Sequence, residues 1–208
     1  MIRNNGPAVE VLSTAYFPPI SYFSLLLRGE ILLEAHENYQ KQSWRNRCNI
    51  LTANGIEALQ VPVVHDGGTF RHPISEIRVD WSRPWLERQK RALDSAYMSS
   101  AYFEHYRDAL YAVLDERPER LWDLNLSVIN FFLRTFGYSE VDVSGMTTDF
   151  IGATVDIHPK HHDKVWDTLT ADSSTPLGKP YFQVFSNKFG FVPNLSILDY
   201  LFNEGPSL

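Results

Sequence analysis

A strand-like run, a short helix behind paired prolines and a second strand-like run open this sequence, and that order constrains the fold more than any other feature. Residues 9–16 are rich in strand formers. Pro18 and Pro19 follow, and proline suits the first turn of a helix. Ile20, Phe23 and Leu27 then recur at helical spacing, with Gly29 as a stop and residues 30–36 reading as a strand again. A strand–helix–strand crossover brings its two strands parallel. The expected fold is therefore α/β, with a mixed β-sheet that begins with an N-terminal βαβ unit.

The rest of the chain adds an antiparallel element and a helical middle. Asn54-Gly55 lies between strand-like residues 48–53 and 56–64, the signature of a two-residue type I′ hairpin. Ile77, Val79 and Trp81 alternate as a half-buried strand does. From Pro84 the period changes to helical, over residues 85–97, 101–114 and 121–136. Ser99 or Ser100 is the expected cap of the second helix, and Gly137 ends the third, whose apolar run Asn125 and Ser127 interrupt. Short strands are expected around residues 154–157, 182–185 and 189–192. A final helix starts after Pro193 with Asn194 and Ser196 as its capping residues, and Leu195, Leu198, Leu201 and Phe202 make it a docking helix. At 208 residues, with no repeat, the expectation is one domain over residues 1–208.

Composition narrows the function classes. Apolar residues are 44% and charged residues 21%, ordinary for a protein with a real core. Aromatics reach 13%, which enlarges a core or lines a sugar-stacking cleft, and the core is the expected use. A net charge of −6 argues against a phosphate-tracking nucleic-acid surface. The longest apolar runs fall far short of the ~20 residues that span a bilayer. Residues 1–10 lack a signal pattern, and Cys48 is the only cysteine, so a cytoplasmic protein without disulfides or direct membrane insertion is expected.

The densest polar cluster is the segment Glu34-Ala-His-Glu-Asn-Tyr-Gln-Lys-Gln-Ser-Trp-Arg-Asn-Arg47, directly after the second strand. Ligands in parallel sheets bind beyond the carboxyl ends of strands, where loops gather. Lys41, Arg45 and Arg47 are candidates to clamp a phosphate or carboxylate. Glu34, His36 and Glu37 are candidate general acid–base groups, because imidazole titrates near neutrality and neighbouring carboxyls shift each other. A solvated loop with mutually paired charges accounts for the same pattern.

His158, His161, His162 and Asp163 form a second cluster, but Pro159 interrupts the helix that would align them, so no metal site is assigned. No glycine-rich phosphate loop and no Gly-x-Ser-x-Gly elbow is present, and no cofactor is expected. Cys48 sits inside a strand, where packing is its expected role. Asp199 and Glu204 read equally well as cleft residues or as exposed helix positions.

Several motifs in fixed order resemble the WbqC-like family. They are Tyr16-Phe-Pro-Pro-Ile-Ser-Tyr-Phe23; the Tyr39–Arg47 segment followed by Asn54-Gly55 and Val61-Pro62-Val63; and Pro84-Trp85, Tyr102-Phe103 and Asp123-Leu-Asn125. The closing Pro193-Asn-Leu-Ser-Ile-Leu-Asp199 resembles Bacteroidetes-type members. Many members carry Gln-Pro where this chain has Ser13-Thr14. The resemblance implies a gene-cluster setting in O-antigen-type surface-polysaccharide biosynthesis and points to both N-terminal motifs, which adds Tyr16, Tyr39 and Asn46 to the substrate-binding candidates.

Two functions are expected from these readings. One is a transferase adding an acyl or aminoacyl group to a nucleotide- or lipid-linked amino sugar. The other is a non-catalytic binding or assembly protein that supports a glycan-biosynthesis enzyme as its partner.

Overall fold

The computed structural model describes residues 10–27, 31–64, 72–141, 149, 151 and 176–207. The opening unit is built as its pattern dictates. Strand β1 (Glu10–Ser13) leads through helix α1 (Ile20–Leu26) to strand β2 (Ile31–Glu34), and the strands pair in parallel with Ser13 opposite Glu34. Every residue of α1 is buried, so the helix is held by packing on all sides.

Strands β3 (Arg47–Thr52) and β4 (Gly55–Gln60) form an antiparallel hairpin, and among the described residues the parallel and antiparallel pairs are two separate two-stranded sheets. The hairpin loop is Ala53-Asn54, one residue earlier than expected, because Gly55 already pairs with Thr52. Of the turn residues only Gly55 has positive φ, 104°, which fits a left-handed bulge position rather than a type I′ turn. The Thr52 hydroxyl closes the turn by donating to the Gly55 carbonyl at 2.9 Å.

Ile77 and Val79 are buried and Trp81 half-buried, as their alternation requires. They do so without a strand, through isolated bridges of Val79 to Val63 and of Arg78 to Arg120. Helices α2 (Trp85–Tyr97), α3 (Phe103–Asp115) and α4 (Leu121–Thr135) form the central layer. Neither Ser99 nor Ser100 caps α3. Its N-cap is Tyr102, and the Ser100 hydroxyl instead donates back to the Tyr97 carbonyl at 2.6 Å. Residues 182–185 form no strand, and a short helix α5 (Ser186–Phe189) takes up the start of the next expected one. The strand expected at 154–157 lies outside the described residues.

The closing helix α6 (Ile197–Glu204) is capped by Ser196, whose hydroxyl accepts from the Leu198 N–H at 3.2 Å. Asn194 serves α1 instead, its Oδ1 accepting from the Ser21 N–H at 3.0 Å. This exchange follows from placement: residues 193–197 lie along residues 18–20, with Ile20 N–H on the Leu195 carbonyl (2.9 Å) and Ile197 N–H on the Pro18 carbonyl (2.8 Å). One core joins α1, the strands, the central helices and α6, and its largest fully buried side chains include Tyr16, Phe17, Phe23, Tyr97, Phe103, Phe132 and Phe202. The aromatic excess is thus spent chiefly on the interior. The helix ends at Gly205, φ 79°, where a Cβ would meet the Tyr102 ring at 2.8 Å.

Asp199 is fully buried on α6 rather than exposed. It accepts from the Tyr97 hydroxyl (2.9 Å), the Tyr181 hydroxyl (2.7 Å) and the Gln183 amide (3.0 Å), all neutral donors. Burial pushes its carboxyl up to about 6, against the opposing pull of those three hydrogen bonds. A carboxyl raised in the folded state binds its proton more tightly there than in the unfolded chain. Its stabilising contribution is therefore full at acid pH and is lost as pH rises through about 6. In urea unfolding from pH 4 to 7, the stability advantage of the native protein over Asp199→Asn should shrink as pH rises; a constant difference contradicts this.

Candidate functional site

Parallel pairing of β1 and β2 puts both carboxyl ends at the same edge, so the loops at residues 14–19 and 35–46 leave the sheet side by side. They are joined by the Tyr16 N–H, which donates to the Trp44 carbonyl at 2.8 Å. Residues 72–75 hold the second loop from outside, through Tyr39 N–H on the His72 carbonyl (3.1 Å) and Ile74 N–H on the Glu37 carbonyl (2.8 Å). Each loop carries a non-glycine residue in the left-handed region, Phe17 at φ 42° and Gln42 at φ 56°. Such conformations cost roughly 1–2 kcal/mol each and persist only where the surroundings over-determine them.

Where the loops meet, Glu37, Arg45 and Ser13 form a buried cluster. Arg45 Nε donates to Glu37 Oε1 at 2.7 Å and Arg45 Nη2 to Glu37 Oε2 at 2.6 Å, a bidentate ion pair. The Ser13 hydroxyl donates to Glu37 Oε2 and accepts from Arg45 Nη2, both at 2.8 Å. Tyr22 completes the surround by donating to the Ser13 carbonyl at 2.7 Å. Its hydroxyl is pushed well above the ordinary tyrosine range, by burial first and by the Glu37 charge second.

Around this cluster lie Tyr39, Asn46, Arg47 and Asn125. Asn125, on α4, donates its amide to the Arg45 carbonyl at 2.8 Å. Asn46 donates to the Val61 carbonyl at 2.8 Å, and Arg47 Nη2 to Gln60 Oε1 at 3.2 Å. The Tyr39 hydroxyl is raised to about 12 by burial, while the nearby Arg45 and Arg47 charges and the Asn46 side chain pull the other way.

The expected site residues therefore divide. Glu37, Tyr39, Arg45, Asn46 and Arg47 come together. His36 and Lys41 are exposed on the same loop. Tyr16 is fully buried and does not bond the cluster directly: its hydroxyl donates to Gln89 Oε1 at 2.8 Å, and Gln89 in turn donates to the carbonyl of Gln60, whose side chain accepts from Arg47. Burial raises the Tyr16 hydroxyl well above its ordinary value. Cys48 is fully buried and its thiol is likewise raised by burial, in keeping with packing. His158, His161, His162 and Asp163 lie outside the described residues. Among the described residues no group of three His, Cys, Asp or Glu side chains is placed to hold a metal ion.

Ser13 and Asn125 join the site beyond the candidates chosen from the sequence. Asn125 carries a signal as a polar break in an apolar helix, and Ser13 stands where many family members have Gln-Pro, but neither signal names the partner the residue meets.

Chemically, both Glu37 oxygens are committed to Arg45 and Ser13. Removing one member of a buried pair strands the other charge and typically costs about 3–5 kcal/mol, against about 1.5–3 kcal/mol for a hydrogen bond to a charged group. Arg45→Met should accordingly destabilise the protein by about 3–5 kcal/mol and Ser13→Ala by about 1.5–3 kcal/mol in denaturant unfolding. Equal, small losses for the two variants contradict the cluster.

The comparisons with known proteins agree with the motif order. The model of the WbqC-like protein family matches residues 14–154. An uncharacterized protein of Mycobacterium tuberculosis (strain ATCC 25618 / H37Rv), Rv1507c, is 31% identical over 133 residues, which covers 63% of this chain and 57% of that protein. No solved structure matches the chain. Among the described residues no helix is long and apolar enough to cross a membrane. The family match takes in both loops from Thr14 onward, the Arg45–Arg47 stretch and Asn125, and the chain belongs to the WbqC-like protein family.

Proposed function

We propose that this protein acts in the biosynthesis of a bacterial surface polysaccharide of O-antigen type, in the cytoplasm, as a transferase on a nucleotide- or lipid-linked amino sugar. The observation that carries the reading is the convergence of the two loops beyond the carboxyl ends of β1 and β2 on Glu37, Tyr39, Arg45, Asn46 and Arg47. In this reading Tyr39, Asn46 and Arg47 bind the substrate, and the Glu37–Arg45 pair holds them in place. Exposed Lys41 meets a phosphate at the rim. His36, exposed on the same loop, takes the proton from the attacking amine of the sugar as its nitrogen bonds the acyl carbon of a thioester or ester donor. The donor's carbon–sulfur or carbon–oxygen bond breaks to release the thiol or alcohol, which takes up that proton. Tyr16 supports the first loop from behind.

The commitment of Glu37 to Arg45 favours a second reading, in which the site binds without catalysing and the protein assists a glycan-biosynthesis enzyme. Saturation-transfer NMR with a panel of nucleotide-linked amino sugars separates binding from its absence. At least one should bind, with affinity reduced tenfold or more by Arg47→Ala. If none binds, or Arg47→Ala changes nothing, the transferase reading fails.

A further inference from the structure

Buried polar side-chain atoms without a partner are concentrated in one place. Among the described residues Thr14 Oγ1, Arg45 Nη1, Asn46 Oδ1, Arg47 Nε and Asn125 Oδ1 are all buried and unmatched, and only three such atoms lie elsewhere. Folded proteins satisfy nearly all buried polar groups, so each of these atoms takes its partner from outside the chain, an ordered water or a ligand that displaces it. The five belong to one connected stretch. Arg45, Asn46 and Arg47 are consecutive, Asn125 is bonded to the Arg45 carbonyl, and Thr14 follows Ser13, which is bonded to Arg45. Tyr39 gathers them further, since its hydroxyl is near the charges of Arg45 and Arg47 and the Asn46 side chain at once.

The unmatched atoms have a definite chemistry. Both asparagine orientations are fixed, because each amide nitrogen already donates to a carbonyl, to Val61 from Asn46 and to Arg45 from Asn125. Their oxygens therefore need donors from an occupant. Arg45 Nη1 and Arg47 Nε need acceptors, and the Thr14 hydroxyl can serve as either. A phosphate or carboxylate offers acceptors only and leaves both amide oxygens unmet. A metal ion suits the amide oxygens but faces two guanidinium groups. The charge of Arg45 is already met by Glu37. Hydroxyls and N–H groups on one ring supply donors and acceptors together.

We propose that this stretch is the subsite for the hydroxyl- and amide-bearing ring of a neutral, N-acylated sugar, and that any phosphate of the ligand lies outside it. The inference deepens the transferase reading and rests on its choice of a sugar-linked ligand. Because the five atoms are enclosed, the ring enters only when the groups covering them move aside.

The test uses the full chain labelled with ¹⁵N-arginine, followed through its arginine Nε–H resonances. The probes are methyl glycosides of N-acetylated gluco-, galacto- and manno-configured amino sugars, the uridine-diphosphate-linked forms of the same sugars, and inorganic pyrophosphate. At least one glycoside should shift the Arg47 Nε–H resonance saturably while pyrophosphate leaves it in place, and Asn46→Ser and Asn125→Ser should each weaken that glycoside tenfold or more. If either variant does not fold, the resonance in the unaltered protein decides. A nucleotide sugar that binds without moving Arg47 Nε–H overturns this subsite and leaves the transferase reading standing. So does a shift produced by pyrophosphate, or a glycoside whose binding both variants leave unchanged. Failure of every nucleotide sugar and every glycoside to bind overturns both.

Discussion

The ion pair between Glu37 and Arg45 is the interaction on which the geometry of the site depends. It is almost wholly removed from water, and a pair in that setting survives only when its hydrogen bonds are satisfied on both sides. Ser13 supplies the third partner from the end of the neighbouring strand, so one cluster ties the end of β1 to both limbs of the loop at residues 35–46. The loops after β1 and β2 would otherwise be connected mainly by backbone contacts. With the pair in place, Tyr39, Asn46 and Arg47 are carried to fixed positions beside it.

The remainder of the fold braces this corner. Helix α6 and the segment before it clasp residues 18–20 and also reach β3, where the Ser196 N–H donates to the Asn49 carbonyl at 2.9 Å. Asn194 caps α1 from across the chain, so the crossover helix of the opening unit takes its cap from the far end of the sequence. From the other side, α4 reaches the Arg45 carbonyl through Asn125. Asp199 anchors α6 by accepting from three neutral donors. That arrangement is easier to keep when the carboxyl is protonated, and it gives the closing helix a pH sensitivity.

Local pattern carried much of this into view. The parallel pair followed from strand, helix and strand, and α2 was bounded correctly because Pro84 and a clean helical period flank it. The hairpin was found but displaced by one residue, since Asn-Gly suits either a type I′ turn or a bulge and only the pairing register decides. Asn194 and Ser100 look like caps of the nearest helix, yet their partners are set by tertiary placement, which spacing does not encode. The same limit applies at the site. The polar run from Glu34 to Arg47 marked where to look, because charge density beyond a strand end is a local property. That Tyr16 bonds Gln89 while Ser13 bonds Arg45 depends on contacts across 73 and 32 residues.

A double-mutant cycle on Glu37 and Arg45 tests most directly whether this pair organises the site. The variants are Glu37→Gln, Arg45→Met and the two combined, compared by denaturant unfolding. Partners in one buried network should be non-additive, with the double variant recovering about 1–3 kcal/mol relative to the sum of the singles. Additivity within about 0.5 kcal/mol would mean that the two residues act independently, and the central role given to the pair would be contradicted.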